Sequence, residues 1–268
     1  MPELAEVETV RRTLKERILN DQIENIEVYY EPIIENDIKY FKENLINDKF
    51  IDIKRKGKYL IFETTNKYLI SHLRMEGKYN ITDKNIPKGK HEHVIFLCKS
   101  FDLKYADTRK FGRMKLIDKD KLNEYFKDLG PDANLVEDIN PIYEKIHKSS
   151  LAIKTLLLDQ SIIAGLGNIY VDEVLFLSKI NPFRKGYTIT KEEVKSIVES
   201  SKNVLDKAIE YKGTTIRTYT FKHGVSGSYQ NFLKVHTKKV CECGCDIKTS
   251  KIGGRTTYYC PICQDVNE

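Results

Sequence analysis

Apolar residues recur along the chain with two different periods, and each period predicts a different kind of element. Leu4, Val7, Leu14 and Ile18 recur at helical spacing, which predicts a helix over residues 3–20. From about residue 22 to residue 117, short runs rich in β-branched and aromatic residues alternate with turn residues. The clearest of these runs are residues 59–62, 68–70 and 93–97. They predict an antiparallel β-sandwich that keeps the first helix against it.

The second half of the chain follows a helical pattern. Residues 130–134 (GPDAN) interrupt every regular period, so we expect a domain boundary there. Beyond it we predict a short helix over residues 150–159, and a second helix that begins at Asn168 after a tight turn. Thr190 and Glu193 have the spacing of a capping box, which predicts the start of a longer helix.

Residues 213–230 have no regular period and contain three glycines. Long loops inside compact domains are usually functional or disordered. We therefore expect either a functional loop or a disordered linker in this segment.

Composition narrows the function only slightly. The 268 residues carry a net charge of +6, from 45 basic and 39 acidic side chains, which is too small an excess to indicate nucleic acid by itself. The basic residues are concentrated at residues 54–58 and 231–260. No apolar run is long enough to cross a membrane, and the acidic start does not resemble a secretory signal. We therefore expect an intracellular protein with no membrane partner.

The cysteines carry the strongest chemical signal. Five of the six lie in the last 28 residues: Cys241, Cys243, Cys245, Cys260 and Cys263. In an intracellular chain such clustering favours a metal over disulfides, and two cysteine pairs at this separation predict one structural zinc ion. Cys260 and Cys263 have standard knuckle spacing. The first pair is open, because any two of the other three cysteines could supply it; we take Cys241 and Cys243.

Three segments together resemble the formamidopyrimidine-DNA glycosylase family. They are PELAEVE at residues 2–8, GLGNIY at residues 165–170 and GGRTTYYCPICQ at residues 253–264. They span the chain in the order found in that family. The chain departs from the family pattern at Ala5, where proline is usual, and in the first knuckle, where Cys241 and Cys243 are one residue closer than usual.

The resemblance implies an α+β multidomain fold in three parts. These are an N-terminal β-sandwich domain with its helix over residues 1–129, a helix-two-turn-helix domain over 130–232 and a zinc-finger hairpin over 233–268. It also implies a monomer acting on damaged double-stranded DNA in the bacterial cytoplasm, at the nucleoid. The implied activity is that of a bifunctional DNA glycosylase and abasic-site lyase.

The resemblance also assigns the catalytic residues. Once Met1 is removed, the α-amine of Pro2 has a pKa of about 7.7–8, so a useful fraction is neutral and can attack the sugar C1′. Taken alone, proline here would more often simply begin a helix. The family gives Glu3 the role of general acid, and Lys58 a phosphate contact and a proton transfer in β-elimination. Arg255, at the predicted hairpin tip, is assigned phosphate contact and δ-elimination.

Seven further residues are predicted to contact DNA. A glycosylase must extrude its base and fill the gap that is left. Residues 72–77 (HLRMEG) and 107–112 (DTRKFG) resemble the family's void-filling loops, and glycines beside them favour loop tips. The predicted wedge is Met75, Arg109 and Phe111, and the predicted phosphate contacts are His72, His91, Lys154 and Asn168. For Asn168 the reason is the free N–H groups at the start of its helix.

Residues 213–230 also resemble the loop that closes over an extruded purine in this family. The sequence therefore favours oxidised purines, namely 8-oxoguanine and formamidopyrimidines, as the substrates. Three alternatives stay open: an endonuclease VIII-type glycosylase for oxidised pyrimidines, a zinc-finger DNA-binding protein without catalysis, and an RNA-binding zinc-ribbon protein. Pro2, Glu3 and Lys58 argue against the last two, because binding alone needs no free amino terminus.

Overall fold

The computed structural model describes residues 1–214 and 227–265, which divide into two compact units. The first contains Met1–Pro2 and Glu6–Lys127, and the second contains Glu3–Ala5, Asp128–Thr214 and the chain from Gly227 onward. Helix α1 therefore begins in the second unit and continues in the first. No helix in the described ranges is long and apolar enough to span a membrane.

The first unit is an antiparallel β-sandwich with a helix, as predicted. Its helices are α1 (Leu4–Ile18), α2 (Ile38–Glu43) and α3 (Leu122–Tyr125). Its strands are β1 (Ile23–Val28), β2 (Phe50–Lys56), β3 (Tyr59–Thr64), β4 (Lys67–His72), β5 (Lys78–Thr82), β6 (Glu92–Cys98), β7 (Asp102–Ala106) and β8 (Arg113–Asp118). They form two four-stranded sheets, ordered β1-β6-β7-β5 and β2-β3-β4-β8.

The core of this unit lies between the two sheets and includes one face of α1. Val7, Leu14 and Ile18 from the helix join the apolar residues of both sheets in one buried cluster. Burying large aliphatic side chains stabilises the fold by about 1.5–3 kcal/mol each. The apolar stripe that predicts α1 is therefore the stripe that packs against the sandwich.

An ion-pair cluster fastens α1 to strand β2. The carboxylate of Glu8 accepts hydrogen bonds from Arg11, Arg12 and Arg55, the last from β2 at 3.2 Å. Burial opposes ionisation of Glu8, but the arginine hydrogen bonds and charges outweigh it and lower the pKa to about 2. Glu8 is therefore ionised at neutral pH.

The second unit is helical and ends in a β-hairpin. Its helices are α4 (Asn140–His147), α5 (Ile153–Leu158), α6 (Asn168–Leu177) and α7 (Lys191–Glu210), and its strands are β9 (Lys248–Ile252) and β10 (Arg255–Tyr259). Helix α6 begins at Asn168 as predicted, and the predicted capping box of Thr190 and Glu193 is present at α7. Helix α5 is shorter than the predicted 150–159, and α4 was not predicted.

The two ends of the predicted loop over residues 213–230 are held together. The N–H of Tyr229 donates to the Gly213 carbonyl at 3.0 Å, and the N–H of Ser228 donates to the Tyr211 carbonyl at 2.9 Å. A Cβ on Gly227 would lie 2.3 Å from the Gly213 oxygen, so only glycine fits there. The body of the loop, residues 215–226, lies outside the described residues. The bounds of the three predicted domains stay predictions.

Candidate functional site

Glu3 is buried in the second unit and caps the start of helix α6. One carboxylate oxygen accepts the N–H of Gly167 at 2.7 Å and that of Tyr170 at 3.3 Å, while the other accepts the N–H of Ile169 at 2.9 Å. A Cβ on Gly167 would lie 2.3 Å from the Glu3 Cδ, so the close approach requires glycine. These contacts fix the carboxylate next to Pro2 in the chain.

This arrangement changes the reason given for Asn168. The sequence predicted free N–H groups at the start of α6 that would suit a phosphate. In the structure Glu3 accepts three of the N–H groups at this end, so that reason is wrong. The side chain of Asn168 instead donates from Nδ2 to the carbonyl of Thr256 at 2.9 Å. A phosphate contact by Asn168 stays a prediction.

Lys154 is fully buried and its ammonium group is already bonded. It donates to the carboxylate of Asp172 at 2.7 Å and to the Thr256 carbonyl at 3.1 Å. Lys154 and Asn168 therefore converge on one carbonyl oxygen of strand β10. The observed contacts give both residues a part in positioning the hairpin, and the buried ion pair of Lys154 with Asp172 argues against the phosphate contact that the sequence predicted.

Arg255 lies at the turn of that hairpin. Gly253 and Gly254, with φ of 55° and 74°, form the two-residue connection between β9 and β10, which favours glycine at both positions. Arg255 is the first residue of β10 and is exposed. It immediately precedes Thr256, whose carbonyl accepts the two bonds described above. The predicted hairpin tip is confirmed, and its arginine is presented from an anchored strand.

Sequence reasoning missed Asp172 as an organising residue. Its second oxygen contacts His236 Nδ1 at 2.8 Å and accepts the N–H of Tyr258 at 3.3 Å. One buried carboxylate on α6 thus joins Lys154, the segment before the hairpin and strand β10. The only sequence signal is an acidic pair, Asp172 and Glu173, inside an otherwise apolar helix.

The neighbouring Glu173 anchors the same segment through backbone groups. Its carboxylate accepts the N–H groups of Lys234, Val235 and His236 at 2.7–2.9 Å. Burial raises the pKa of Glu173 even though these three hydrogen bonds act in the opposite direction. The two acidic residues together attach the cysteine-rich end of the chain to helix α6.

In the first unit, the two predicted void-filling loops share one buried support, Tyr105 on β7. A Cβ on Gly77 would lie 2.2 Å from the Tyr105 hydroxyl oxygen, and one on Gly112 would lie 1.6 Å from it. Met75 is half-buried in the turn between β4 and β5, and Phe111 is exposed between β7 and β8. The prediction that both lie in loops is confirmed, while their insertion into DNA stays a prediction.

Asp107 shapes the second of these loops. Its carboxylate oxygens accept the N–H of Arg109 at 3.0 Å and that of Gly112 at 2.8 Å. Arg109 is exposed and its guanidinium lies 4.8 Å from the centroid of the Phe111 ring. The N–H of Asp107 donates to the carbonyl of His91 at 2.9 Å. A buried carboxylate therefore presents an arginine–aromatic pair at the surface.

His72 lies at the end of β4 and is a neutral imidazole. Burial lowers its pKa to about 3, and the charges of Arg74 and Lys58 act in the same direction. The N–H of Arg74 donates to Nδ1 at 2.9 Å, so the ring proton is on Nε2. His72 can offer a phosphate a neutral donor but no charge. Lys58 lies in the β2–β3 turn, directly before strand β3, and is buried.

The cysteine-rich end has the donor set of a metal centre. The sulfurs of Cys241, Cys243, Cys260 and Cys263 all lie within 4.8 Å of one another. Thiolates bound tetrahedrally at 2.3 Å from zinc are about 3.8 Å apart. The Cys241–Cys263 distance is 3.8 Å and the Cys243–Cys260 distance is 3.6 Å, which fits such a metal.

Comparisons with known proteins agree over nearly the whole chain. The family model for the formamidopyrimidine-DNA glycosylase N-terminal domain matches residues 1–114, and that for the H2TH domain of the same enzymes matches residues 129–220. Formamidopyrimidine-DNA glycosylases of Bacillus cereus and Streptococcus pneumoniae are each 44% identical to the chain, covering 98% of it and 99% of their own length.

Solved structures give the same answer. A mutant FPG of Lactococcus lactis, in complex with DNA that contains Fapy-dG, superimposes with a TM-score of 0.93 at 42% identity. MutM in complex with DNA that contains carbocyclic 8-oxo-G superimposes with a TM-score of 0.92 at 41% identity. Each comparison covers 98% of this chain and 99% of the other.

Fold, site and comparisons together define a DNA glycosylase of base-excision repair. Within that class, the chain belongs to the formamidopyrimidine-DNA glycosylase family.

Proposed function

We propose that the protein removes oxidised purines from duplex DNA and then cuts the strand at the abasic site, using the amine of Pro2. The observation that carries this proposal is the fixed carboxylate beside Pro2. Pro2 is followed at once by Glu3, a buried carboxylate held by three N–H groups. A structural acid at a helix start would not need a proline amine beside it, whereas a Schiff-base enzyme needs both.

The chemistry follows from a secondary amine. After Met1 is removed, the neutral amine of Pro2 attacks C1′ and the damaged base leaves with the bonding electron pair and a proton. The amine loses its own proton, and opening of the sugar ring leaves an iminium between nitrogen and C1′. This cation accepts the electrons of the C2′–H bond when the C2′ proton is removed, which gives an enamine. The enamine then expels the 3′ phosphate, which leaves with the electron pair of the C3′–oxygen bond and restores the iminium. Hydrolysis of the final iminium frees Pro2.

Glu3 and Lys58 are proposed to move protons in these steps. Glu3 is adjacent to Pro2 in the chain, and its position is fixed by the start of α6, so it exchanges protons at the sugar. Lys58 is the last residue of a dense basic run and lies in a tight turn whose Gly57 has a φ of 55°. We assign it a phosphate contact and the proton transfer of β-elimination.

Arg255 is proposed to bind the phosphate on the lesion strand and to assist the second, δ-elimination. The support is its exposure at the start of β10, beside a carbonyl held by Lys154 and Asn168. A guanidinium binds phosphate through two parallel hydrogen bonds, so its orientation matters as much as its charge. Anchoring the next residue sets that orientation.

Met75, Arg109 and Phe111 are proposed to fill the gap left by the extruded base. Arg109 and Phe111 are exposed as a stacked pair, and a side chain that enters a base stack must be exposed beforehand. His72 and Asn168 are proposed to contact phosphates through neutral donors, and His91 is proposed to contact a phosphate as well. The oxidised-purine preference is supported by the lesions bound in the two solved structures described above.

The metal is proposed to be one zinc ion held by Cys241, Cys243, Cys260 and Cys263. All four sulfurs approach the separations of a tetrahedral thiolate site. Besides cysteines, the apolar cluster of this segment has only the buried Phe176 and Val235 and the partly buried Ile247 and Tyr258 among the described residues. Zinc supplies folding free energy in such segments. It would hold the hairpin, and with it Arg255, in place. We propose that the protein acts as a monomer in the cytoplasm.

The test is borohydride trapping on duplexes with one lesion. Processed protein that begins at Pro2 should form a covalent adduct with an 8-oxoguanine duplex and with a preformed abasic site, and far less with thymine glycol. A matched protein that keeps Met1 should form none, because its proline nitrogen is an amide, yet should bind the abasic duplex within about threefold of the processed form.

Each outcome of this test has a different meaning. Cleavage by the protein that keeps Met1 would contradict Pro2 as the nucleophile. A preference for thymine glycol would move the protein to the endonuclease VIII-type alternative. Binding by both proteins with no adduct from either would leave a DNA-binding protein without catalysis.

A further inference from the structure

The cysteine-rich end contains one more thiol than a tetrahedral metal can bind. Beside the four sulfurs that lie within 4.8 Å of one another, Cys245 places its own sulfur 3.4 Å from that of Cys243 and 3.0 Å from that of Cys260. It is therefore at least as close to Cys260 as Cys243 is, at 3.6 Å. Cys245 is not one of the four mutually close sulfurs, but it lies against two of them.

The backbone conformation explains why Cys243 and Cys245 lie at the same edge of the sulfur cluster. The N–H of Cys241 donates to the Cys245 carbonyl at 2.8 Å, and the N–H of Gly244 donates to the Cys241 carbonyl at 2.9 Å. Gly244 has a φ of 87°, and a Cβ there would meet nothing within 4 Å. The turn therefore closes tightly around Cys243 and brings Cys245 back against the same edge of the cluster.

The side chains of Cys243 and Cys245 differ in their exposure to solvent. Cys241 and Cys260 are buried and Cys263 is half-buried, whereas Cys243 is exposed. Cys245 is half-buried. Among the four proposed ligands, Cys243 is thus the one that solvent reaches most easily. The Cys245 sulfur lies closer to Cys260 than the Cys243 sulfur does, so Cys245 is the thiol placed to replace Cys243.

We propose that Cys245 is a reserve ligand that exchanges with Cys243 on the metal, so that the site has a second complete set in Cys241, Cys245, Cys260 and Cys263. In the exchange, Cys245 loses its proton as its sulfur binds, and the departing Cys243 thiolate gains one. The number of thiolates and the charge of the site do not change. The inference rests on the zinc site proposed above.

The test is metal binding by full-length protein, measured as zinc content and as the absorption of the cobalt(II)-substituted site. Cys243→Ser and Cys245→Ser should each keep one metal with the four-thiolate cobalt spectrum of the wild type. The double variant should show a three-thiolate spectrum and lose zinc to a chelator at least tenfold faster. Cys263→Ser, which removes a ligand with no reserve beside it, should match the double variant.

Two results would overturn the proposal that Cys245 is a reserve ligand. One is a three-thiolate spectrum for Cys243→Ser alone, and the other is a double variant that keeps the four-thiolate spectrum. A wild-type protein without any bound metal would instead overturn the proposed zinc site, and the reserve ligand with it.

A second measurement does not depend on the folding of any variant. Zinc-loaded wild-type protein is alkylated with N-ethylmaleimide and mapped by mass spectrometry. Exchange predicts that one thiol per chain in this segment reacts, divided between Cys243 and Cys245, with zinc retained. Label on Cys245 alone would mean that Cys243 never leaves the metal and would also overturn the proposal.

Discussion

Lys154 and Arg255 carry the same charge on either side of the Thr256 carbonyl, but their surroundings differ completely. The ammonium group of Lys154 is buried and paired with Asp172, whereas Arg255 is exposed. A buried charge that already has its partner gains nothing by meeting a phosphate, while an exposed one releases counterions when it does. The two residues should therefore affect DNA binding in different ways.

The salt dependence of DNA binding distinguishes the role of Lys154 from that of Arg255. Replacing Arg255 by alanine should reduce the slope of log affinity against log salt concentration by about one unit. Lys154→Met should leave the slope unchanged but lower the free energy of unfolding by about 3–5 kcal/mol, because Asp172 loses a buried partner. The exposed Lys195 of α7 gives the control, and Lys195→Ala should change neither quantity.

A reduction of one unit in the slope for Lys154→Met would show that its ammonium reaches the DNA in the complex. The slopes are measured by fluorescence anisotropy on an abasic duplex, and the unfolding free energies by denaturant titration.

At the scale of single residues, sequence motifs identified candidate site residues, but they did not identify the hydrogen-bond partners of those residues. Pro2, Glu3 and Arg255 were singled out by motifs. That Glu3 would occupy the N–H groups next to Asn168 could not be predicted, because the two residues are 165 positions apart and periodicity reports only which face is buried. The role of Asp172 was hidden for the same reason, since its partners come from three separate segments.

At the scale of elements, the two predicted void-filling loops of the first unit cannot be altered independently. Both pass over Tyr105, and both need a glycine where they do so. A methyl group on Gly112 would have to displace either the tyrosine ring or the loop. Because the ring is fully buried, the loop that carries Arg109 and Phe111 should move.

The chain has no tryptophan, so Phe111→Trp supplies a single fluorescent reporter. Its emission should be quenched when a duplex with an abasic site is added, since the indole would stack on bases. Adding Gly112→Ala should weaken binding at least tenfold and reduce the quenching at saturation. Adding Tyr105→Phe as well should restore part of both, because it removes the hydroxyl oxygen 1.6 Å from the methyl carbon and leaves the ring carbon at 2.7 Å.

Without that restoration, the effect of Gly112→Ala would have to come from somewhere other than Tyr105. Unchanged emission in the otherwise unmodified reporter would contradict the wedge assignment of Phe111.

Helices with local signals were predicted, whereas the start of a helix that depends on a distant contact was not predicted correctly. Helix α7 has a capping box at Thr190, and α1 has a regular apolar stripe. Helix α5 begins only at Ile153, whose N–H donates to the carbonyl of Arg184, in a bridge between two segments. No residue near 150 in the sequence indicates that pairing.

For the whole molecule, acid should destabilise the fold in two stages. His72 has a pKa near 3 in the folded state and an ordinary value of 6.5, so the unfolded chain binds the extra proton between these values. Its contribution is complete above pH 6.5 and is lost as the pH falls toward 3. Glu8, whose pKa is lowered from 4.5 to about 2, contributes above pH 4.5 and is lost as the pH falls toward 2.

Chemical denaturation at pH 7.5 and pH 4.5 measures the first stage. His72 alone should account for a loss of about 2–3 kcal/mol between pH 6.5 and pH 4.5. His72→Asn keeps an acceptor for the Arg74 N–H but cannot be protonated in this range. The variant should lose less stability than the wild type by that amount, and equal losses in both proteins would show that His72 is protonated normally in the fold.

The contact between Glu3 and the start of α6 also bears on synthesis of the chain. A ribosome that adds about 5–20 residues per second needs roughly 8–30 seconds to move from codon 3 to codon 167. Until then Glu3 lacks the N–H groups of Gly167, Ile169 and Tyr170 that hold it. A nascent chain released early, with the sandwich complete and the helical part missing, would carry a proline amine beside a carboxylate that lacks these three N–H groups. Glu3 therefore gains these hydrogen bonds only after the chain has been synthesised through Tyr170.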